Sequence, residues 1–183
     1  AMDILVGTTK GLFVLEGGVM GVAGGLLGVA LALILGAAIN AAGIVYEATM
    51  RCNLHCEFCY VGDLLNVEGE WREELPLEAL RRAFPDQHGL QVSLTGGEIF
   101  MRKDIMSVMA VFRDKGYVCG YLTTNGTIIS EERADALAAL AAGGFLKHIS
   151  VSIDGPGERH DKARGVAGTF ERTAAGLRRL QEA

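Results

Sequence analysis

The sequence predicts an α/β protein in which helices cover a parallel β-sheet. After residue 44, four strand-like runs alternate with four segments of helical periodicity, which is the pattern of consecutive βα units. Half of the 183 residues are hydrophobic, enough for a substantial core in one domain, or in one domain with an appendage. The net charge of −5 gives no electrostatic reason to expect binding to the phosphates of DNA or RNA.

Residues 1–43 form a predicted N-terminal segment ahead of the βα units (44–183). The segment begins with the strand-like run DILVGTTKGLFVLE, and thirty uncharged residues follow from Gly17 to Tyr46. That run exceeds the roughly 20 apolar residues that cross a bilayer, and its G-x-x-x-G pairs are typical of packed membrane helices. Three features oppose a membrane span: eight glycines, Asn40, and the lack of flanking Lys or Arg clusters. The alternative is a Gly/Ala-rich helix buried against the protein. Both interpretations stay open, so we expect a cytoplasmic protein, with or without membrane association through residues 17–46.

The first two βα units contain clear start and stop signals. GIVYEATM is a short apolar strand that leads into a cysteine-containing loop, and Pro76 begins the helical run PLEALRRAF. The next strand, LQVSLT (90–95), precedes KDIMSVMAVFRDKG. Apolar residues recur at helical spacing in that run, and Gly116 ends it.

The third and fourth units follow the same order. The strand YVCGYLTTNG (117–126) precedes a helix that Ser130 can cap and that ends at Gly143 and Gly144. The strand HISVSIDG (148–155) precedes TFERTAAGLRRL, for which Thr169 is the predicted N-cap. Cys119, in the third strand, is predicted to be a small core residue.

A distinctive motif follows each predicted strand. Right-handed crossovers place every strand-to-helix loop at the same end of a parallel sheet, where α/β proteins build their sites. We therefore expect four motifs to meet at one rim, in chain order CNLHCEFCY, TGGE, TTNG and SIDG.

The first of these motifs places Cys52, Cys56 and Cys59 within eight residues. Such spacing suits a metal site in a reducing compartment better than a disulfide framework. A structural zinc ion would need a fourth ligand, for which His55 and His88 are candidates. A [4Fe–4S] cluster usually takes four cysteines, so three would leave one iron able to bind a small molecule through an amine and a carboxylate. Both interpretations stay open on spacing alone.

The pattern C-x3-C-x-aromatic-C, here Cys52, Cys56, Phe58 and Cys59 with Tyr60 following, resembles the signature of the radical S-adenosylmethionine (radical SAM) superfamily. The resemblance implies that the three cysteines bind a [4Fe–4S] cluster and that the two aromatic residues lie beside the cofactors. LTGGE resembles the glycine-rich segment of the family. It implies SAM contacts for Gly96, Gly97 and Glu98, with the Glu98 carboxylate receiving the SAM amine.

The segment SIDGPGERHDKARG resembles the subgroup of anaerobic sulfatase-maturating and SPASM-type enzymes. That resemblance implies that Ser152 and Arg164 bind the SAM carboxylate, for which a guanidinium fork is physically suited. Asp154, beside a Gly-Pro turn, is predicted to be a turn former. Ile99 stands where the family usually has proline after the glutamate.

The implied fold is a partial (βα)6 radical SAM barrel of about four units, which leaves the fourth strand as an open edge. We expect this edge to be covered by the N-terminal segment or to promote self-association. The implied activity is reductive cleavage of SAM to a 5′-deoxyadenosyl radical, which abstracts hydrogen from a peptide, protein or small-molecule substrate. An electron donor such as flavodoxin or ferredoxin is the implied partner. The alternatives are a Cys3His zinc module that binds a partner, and a truncated or membrane-anchored homologue without turnover.

Overall fold

The computed structural model describes residues 3–8, 11–14, 43–67 and 74–183. The strands in these ranges form one six-stranded sheet. They are β1 (Asp3–Thr8), β2 (Gly11–Val14), β3 (Gly43–Glu47), β4 (Gln91–Thr95), β5 (Val118–Thr124) and β6 (Leu146–Ser152). The α-helices in these ranges are α1 (Leu77–Ala83), α2 (Ile105–Asp114), α3 (Glu131–Ala142), α4 (Glu158–Arg164) and α5 (Thr169–Glu182).

Strands β3 to β6 form the parallel sheet that the alternating pattern predicts. Each pairs in parallel with the next along the chain, so their order in the sheet follows their order in the sequence. A helix follows every one of these strands. The predicted α/β architecture of four βα units is therefore confirmed.

The N-terminal strands extend this sheet beyond β6. β1 pairs in parallel with β6, with Ile4 opposite Ile149, and β2 pairs antiparallel with β1. The edge of β6 that we expected to be open is thus paired by the strand-like start of the N-terminal segment. The described residues contain no helix that combines the length and the hydropathy of a membrane span. Most of the uncharged run, residues 17–42, lies outside the described ranges, so its membrane and packing interpretations stay predictions.

The hydrophobic core lies between the parallel sheet and the helices. A group of aromatic rings packs in edge-to-face and tilted pairs near α2, with centroid separations of 4.9 to 6.2 Å, and comprises Tyr46, Phe84, Phe112 and Tyr117. Cys119 lies in this core with no exposed surface, as predicted. Burial raises the pKa of its thiol to about 12, so this cysteine stays protonated and is a poor metal ligand.

The helix ends confirm one predicted cap and contradict another. The Ser130 hydroxyl accepts a hydrogen bond from the Arg133 N–H at 3.2 Å, as expected for the N-cap of α3. The Thr169 cap is wrong, because α5 begins at Thr169 and its N-cap is Gly168. The carboxylate of Asp161 accepts hydrogen bonds from the N–H groups of Gly168 and Phe170 at 2.6 and 2.7 Å. An acidic side chain from α4 therefore supplies the cap that we had assigned to a local hydroxyl.

Candidate cofactor site at the carboxyl ends of the strands

The loops after β4 and β6 contact the loop after β3, which we call the cysteine loop (residues 48–61). The Gly97 N–H donates to the Thr49 carbonyl at 2.8 Å. From the β6 side, the His55 N–H donates to the Arg164 carbonyl at 3.0 Å. The loop after β5 joins them through side chains described below. The predicted convergence of the four motifs on one rim is therefore confirmed.

The glycines of the TGGE motif are required by this packing. Gly96 has φ +150°, and a Cβ there would lie 2.4 Å from the Thr49 carbonyl oxygen. A Cβ on Gly97 would lie 2.4 Å from the Arg51 carbonyl oxygen. Both distances are far below a van der Waals contact, so any side chain would push the cysteine loop away from β4. The backbone that these two glycines approach closely is that of the cysteine loop, and the SAM contacts implied for them stay predictions.

Glu98 is fully buried at the end of β4, and its carboxylate joins β4 to β5. One oxygen accepts hydrogen bonds from the Thr124 hydroxyl at 2.7 Å and the Phe100 N–H at 3.2 Å. The other oxygen accepts from the Asn125 N–H at 2.7 Å. Burial raises the pKa of Glu98 above its ordinary value, and the hydrogen bonds oppose that shift. Since a carboxylate has about four acceptor positions, three hydrogen bonds leave room for one more donor, such as an amine.

The three cysteines of the cysteine loop are only partly exposed. The side-chain amide of Asn66 holds the first of them. It accepts from the Cys52 N–H at 3.0 Å and donates to the Cys52 carbonyl at 2.9 Å. The Cys59 N–H donates to the Cys56 carbonyl at 3.2 Å, which forms a turn between the other two. Burial raises the pKa of the Cys52 thiol, and the charge of the nearby Glu98 carboxylate acts in the same direction.

A cavity of about 670 Å³ lies beside these thiols. Cys56, Cys59 and Tyr60 line it, together with other residues of the 54–66 range. The Tyr60 hydroxyl donates to the Glu47 carboxylate at 3.0 Å, while 77% of the side chain remains exposed. Phe58 is 44% exposed. Both predicted aromatic residues therefore lie on the same loop as the cysteines, with surface available to a ligand.

A ring of side-chain hydrogen bonds joins the cysteine loop to the loop after β5. The side-chain Nδ2 of Asn125 donates to the side-chain Oδ1 of Asn53 at 2.9 Å. The Nδ2 of Asn53 donates to the Thr127 hydroxyl, also at 2.9 Å. The Thr127 hydroxyl donates in turn to Asn125 at 2.7 Å, which closes the ring. Our sequence reasoning missed Asn53 and Thr127, although the position of Asn53 directly after Cys52 was an available signal.

The segment from the end of β6 to the end of α4 contains Ser152, Asp154 and Arg164. Ser152 ends β6 and is partly buried. The Arg164 guanidinium forms an ion pair with Asp154, Nε to Oδ2 at 2.6 Å, and donates to the Cys56 Sγ at 3.6 Å. The expectation that Asp154 merely forms a turn is therefore too limited, because its carboxylate holds the one cation that contacts a cysteine thiol among the described residues.

Of the two histidines considered for a zinc site, His88 lies away from the cysteines, whereas His55 lines the same cavity as Cys56 and Cys59. His88 precedes β4, whereas the cysteines follow the opposite end of the neighbouring strand, about 16 Å away at the usual rise per strand residue. His55 has an exposed side chain, and its backbone contacts α4. Within residues 43–67 and 74–183, no three His, Cys, Asp or Glu side chains are grouped so as to hold a single metal ion.

Comparison with known proteins identifies a family and several relatives. Residues 46–183 match the model of the radical SAM superfamily. An AdoMet-dependent heme synthase from Nitratidesulfovibrio vulgaris is 35% identical over 142 residues, which cover 76% of this chain and 37% of the relative. An Fe-coproporphyrin III synthase from Methanosarcina barkeri is 37% identical over 142 residues, which cover 76% of this chain and 34% of the relative. The chain thus spans about a third of the length of these curated relatives.

Two solved structures resemble this fold. The structure of anSMEcpe with bound AdoMet has a TM-score of 0.60 at 23% identity, covering 76% of this chain and 41% of that protein. The structure of Streptococcus suis SuiB has a TM-score of 0.59 at 23% identity, covering 77% of this chain and 30% of that protein. Both are of the sulfatase-maturating and SPASM-type kind that the β6 segment resembles. At this level of identity, the likeness concerns the fold. The family match over residues 46–183, the parallel sheet and the three-cysteine loop at its rim together show that this chain belongs to the radical SAM superfamily, whose members use a [4Fe–4S] cluster and SAM.

Proposed function

We propose that residues 43–183 form the cofactor-binding part of a radical SAM enzyme, in which Cys52, Cys56 and Cys59 hold a [4Fe–4S] cluster. The observation that carries this proposal is the convergence of the segments after β4, β5 and β6 on the loop after β3, which contains three thiols. Backbone hydrogen bonds and close glycine contacts from the segments after β4 and β6, and side-chain hydrogen bonds from the loop after β5, hold that loop in place. Such support is typical of a loop that must present its ligands in one arrangement.

The residues present fit both cofactors. Three partly exposed thiols on one loop supply one ligand to each of three irons, while Cys119 is too deeply buried to supply a fourth. The adjacent cavity, of about 670 Å³, has a size typical of small-molecule sites, and it is lined by residues 54–66, so it supports a ligand beside the cysteine loop rather than the individual SAM contacts. The rim also contains a carboxylate, Glu98, and a guanidinium, Arg164. These two groups match the charges of the amine and the carboxylate of an amino acid. These features support a site for SAM next to a cluster.

In the proposed complex each rim residue has a binding role. Arg164 would bind the SAM carboxylate, and the Ser152 hydroxyl would donate to the same group. Glu98 would accept from the SAM amine with the acceptor position that its three hydrogen bonds leave available. When bound, the two cofactors supply an electron and a cleavable carbon–sulfur bond, which together provide a radical for hydrogen abstraction. The chain itself binds and orients these groups.

The proposal extends to the class of substrate and to the electron donor. The curated relatives are named as heme synthases, GTP 3′,8-cyclase and PqqA peptide cyclase, so they share chemistry rather than a substrate. We propose hydrogen abstraction from a peptide or small-molecule substrate, with flavodoxin or ferredoxin as the electron donor. The acidic net charge of −5 does not favour a nucleic-acid substrate.

The first test is reconstitution of the full 183-residue chain with iron and sulfide under anaerobic conditions. We expect about four irons and four sulfides per chain, and 5′-deoxyadenosine after addition of SAM and a strong reductant. Chemical iron and sulfide analysis, absorbance spectra and chromatography of the nucleoside product measure these outcomes. A stoichiometric zinc ion that resists replacement by iron would contradict the proposal and favour the zinc-module alternative.

A second test concerns SAM itself. Arg164→Ala removes a charge-assisted contact worth roughly 1.5–3 kcal/mol, so SAM should bind about ten- to a hundredfold more weakly. Equilibrium binding to the reconstituted protein gives the affinity, and iron analysis shows that the cluster is still present. Lys162→Ala, on the exposed side of the same helix, should leave SAM affinity unchanged. If both variants bind SAM with the same affinity, the SAM carboxylate does not contact Arg164.

A further inference from the structure

The Arg164 guanidinium is held between three groups at the rim. Its Nε lies 2.6 Å from Asp154 Oδ2, its Cζ lies 5.4 Å from the centre of the Phe58 ring, and its Nη1 lies 3.6 Å from the Cys56 Sγ. Only 11% of the Arg164 side chain and 5% of the Asp154 side chain are exposed. The ion pair is therefore largely shielded from water, and contacts with all three groups constrain the guanidinium.

The backbone at the end of α4 holds the same part of the cysteine loop. The Arg164 carbonyl accepts a hydrogen bond from the His55 N–H at 3.0 Å. Gly165 follows with φ +70°, and a Cβ there would lie 2.3 Å from the His55 carbonyl oxygen. Both peptide groups of His55, directly before Cys56, thus contact α4. The distance between the guanidinium and the Cys56 sulfur is consequently determined by backbone contacts as well as by the side chains.

A hydrogen-bond donor near a cluster sulfur has a defined electrostatic effect. Reduction adds a negative charge to an iron–sulfur cluster, and part of that charge resides on the ligand sulfurs. An N–H donor and a positive charge beside one of these sulfurs stabilise the reduced state more than the oxidised state, which raises the reduction potential. The effect is larger where water is excluded, because the local dielectric is lower.

We infer that Arg164 donates an N–H···S hydrogen bond to the Cys56 thiolate of the bound cluster and raises its reduction potential, with Asp154 as the positioning residue. This inference rests on the proposed function, because it requires the cluster. It gives Arg164 a role toward the cluster in addition to the proposed contact with SAM. It also gives Asp154 the role of positioning the Arg164 guanidinium.

The test is the midpoint potential of the reconstituted full-length chain, measured without SAM by a redox titration followed by electron paramagnetic resonance. In Arg164→Met the donor and the charge are both lost. At a fixed ambient potential, we expect the ratio of reduced to oxidised cluster to fall about tenfold, equal to a shift of about 59 mV for a one-electron couple. Asp154→Glu keeps both charges of the ion pair but displaces the carboxylate that anchors Arg164, so a smaller shift in the same direction is expected.

Two further variants separate the hydrogen bond from charge alone. Arg164→Lys keeps the charge without the planar fork and should give an intermediate potential. Lys162→Met removes an exposed charge from the same helix and should leave the potential at the wild-type value. If Arg164→Met fails to hold a cluster, lower potentials in Asp154→Glu and Arg164→Lys than in wild type would support the inference, and unchanged potentials in both would overturn it.

The outcomes distinguish this inference from the proposed function. An intact cluster whose potential is the same in wild type, Arg164→Met and Asp154→Glu would overturn the inference alone. Equal shifts in Arg164→Met and Lys162→Met would also overturn it, because net charge would then explain the change. A wild-type chain that assembles no cluster would overturn the proposed function, and the inference with it.

Discussion

Replacing Cys52, Cys56 or Cys59 with alanine is expected to leave the chain unable to hold an iron–sulfur cluster. In the proposed cluster each thiol of the cysteine loop would be the sole protein ligand to one iron, so losing one would leave two irons without protein ligands. The remaining cysteine, Cys119, is fully buried in the core and cannot replace a missing ligand without unfolding its strand. We therefore expect near-complete loss of bound iron and of cluster absorbance, rather than a graded decrease.

Cys119→Ala is the matched control for these variants. It removes a thiol of the same chemistry from the same chain, and it should keep about four irons and four sulfides after reconstitution. Metal analysis and absorbance spectra of all four single variants, prepared in parallel, measure the difference. Full iron content in any one of the cysteine-loop variants, or loss of iron in Cys119→Ala, would contradict the assignment of the ligands.

The second large effect is expected for Glu98→Ala, and it concerns stability. The substitution deprives three donors of their acceptor in a fully buried site, namely the Thr124 hydroxyl and the N–H groups of Phe100 and Asn125. Leaving buried donors unsatisfied should lower the free energy of unfolding by about 3–5 kcal/mol. Weak SAM binding in this variant would then reflect disruption of the rim as well as a lost contact with the amine.

Urea unfolding of the protein without cofactors measures this effect. Glu132→Ala is the control, because Glu132 is exposed in the first turn of α3 and should cost less than about 1 kcal/mol. If Glu98→Ala unfolds at the same urea concentration as the control, the carboxylate is not the structural link between β4 and β5 that we describe. In that case, its role in binding the SAM amine could be measured directly.

The fold was predictable where local patterns determine it. The alternation of strand-like and helical periodicity identified β3 to β6 and the helices that follow them. Ser130 was a correct N-cap because it bonds a residue three positions away. Thr169 was an incorrect one because its helix is capped by the carboxylate of Asp161, a residue of the preceding helix. Local rules describe the first case and cannot describe the second.

The candidate site was predictable in its residue types and less so in its contacts. The spacing of Cys52, Cys56 and Cys59 and the glycines of TGGE identified the rim motifs before any coordinates were considered. The spacing alone gave no indication that the two glycines accommodate the backbone of the cysteine loop. Nor did it indicate the hydrogen bond between Asn125 and Asn53, which are 72 residues apart.

Local patterns were sufficient to predict consecutive βα units, and to predict that three thiols, a Gly-Gly-Glu turn and an arginine segment follow their strands. Hydrophobic periodicity and short motifs encode such features because both arise from neighbours within a few residues. The pairing of β1 with the edge of β6, and the ion pair by which Asp154 holds Arg164 near Cys56, arise instead from contacts between distant parts of the folded chain. Arg164 and Cys56 are 108 residues apart, so their contact depends on how β3 and β6 pack in one sheet, which no local pattern records.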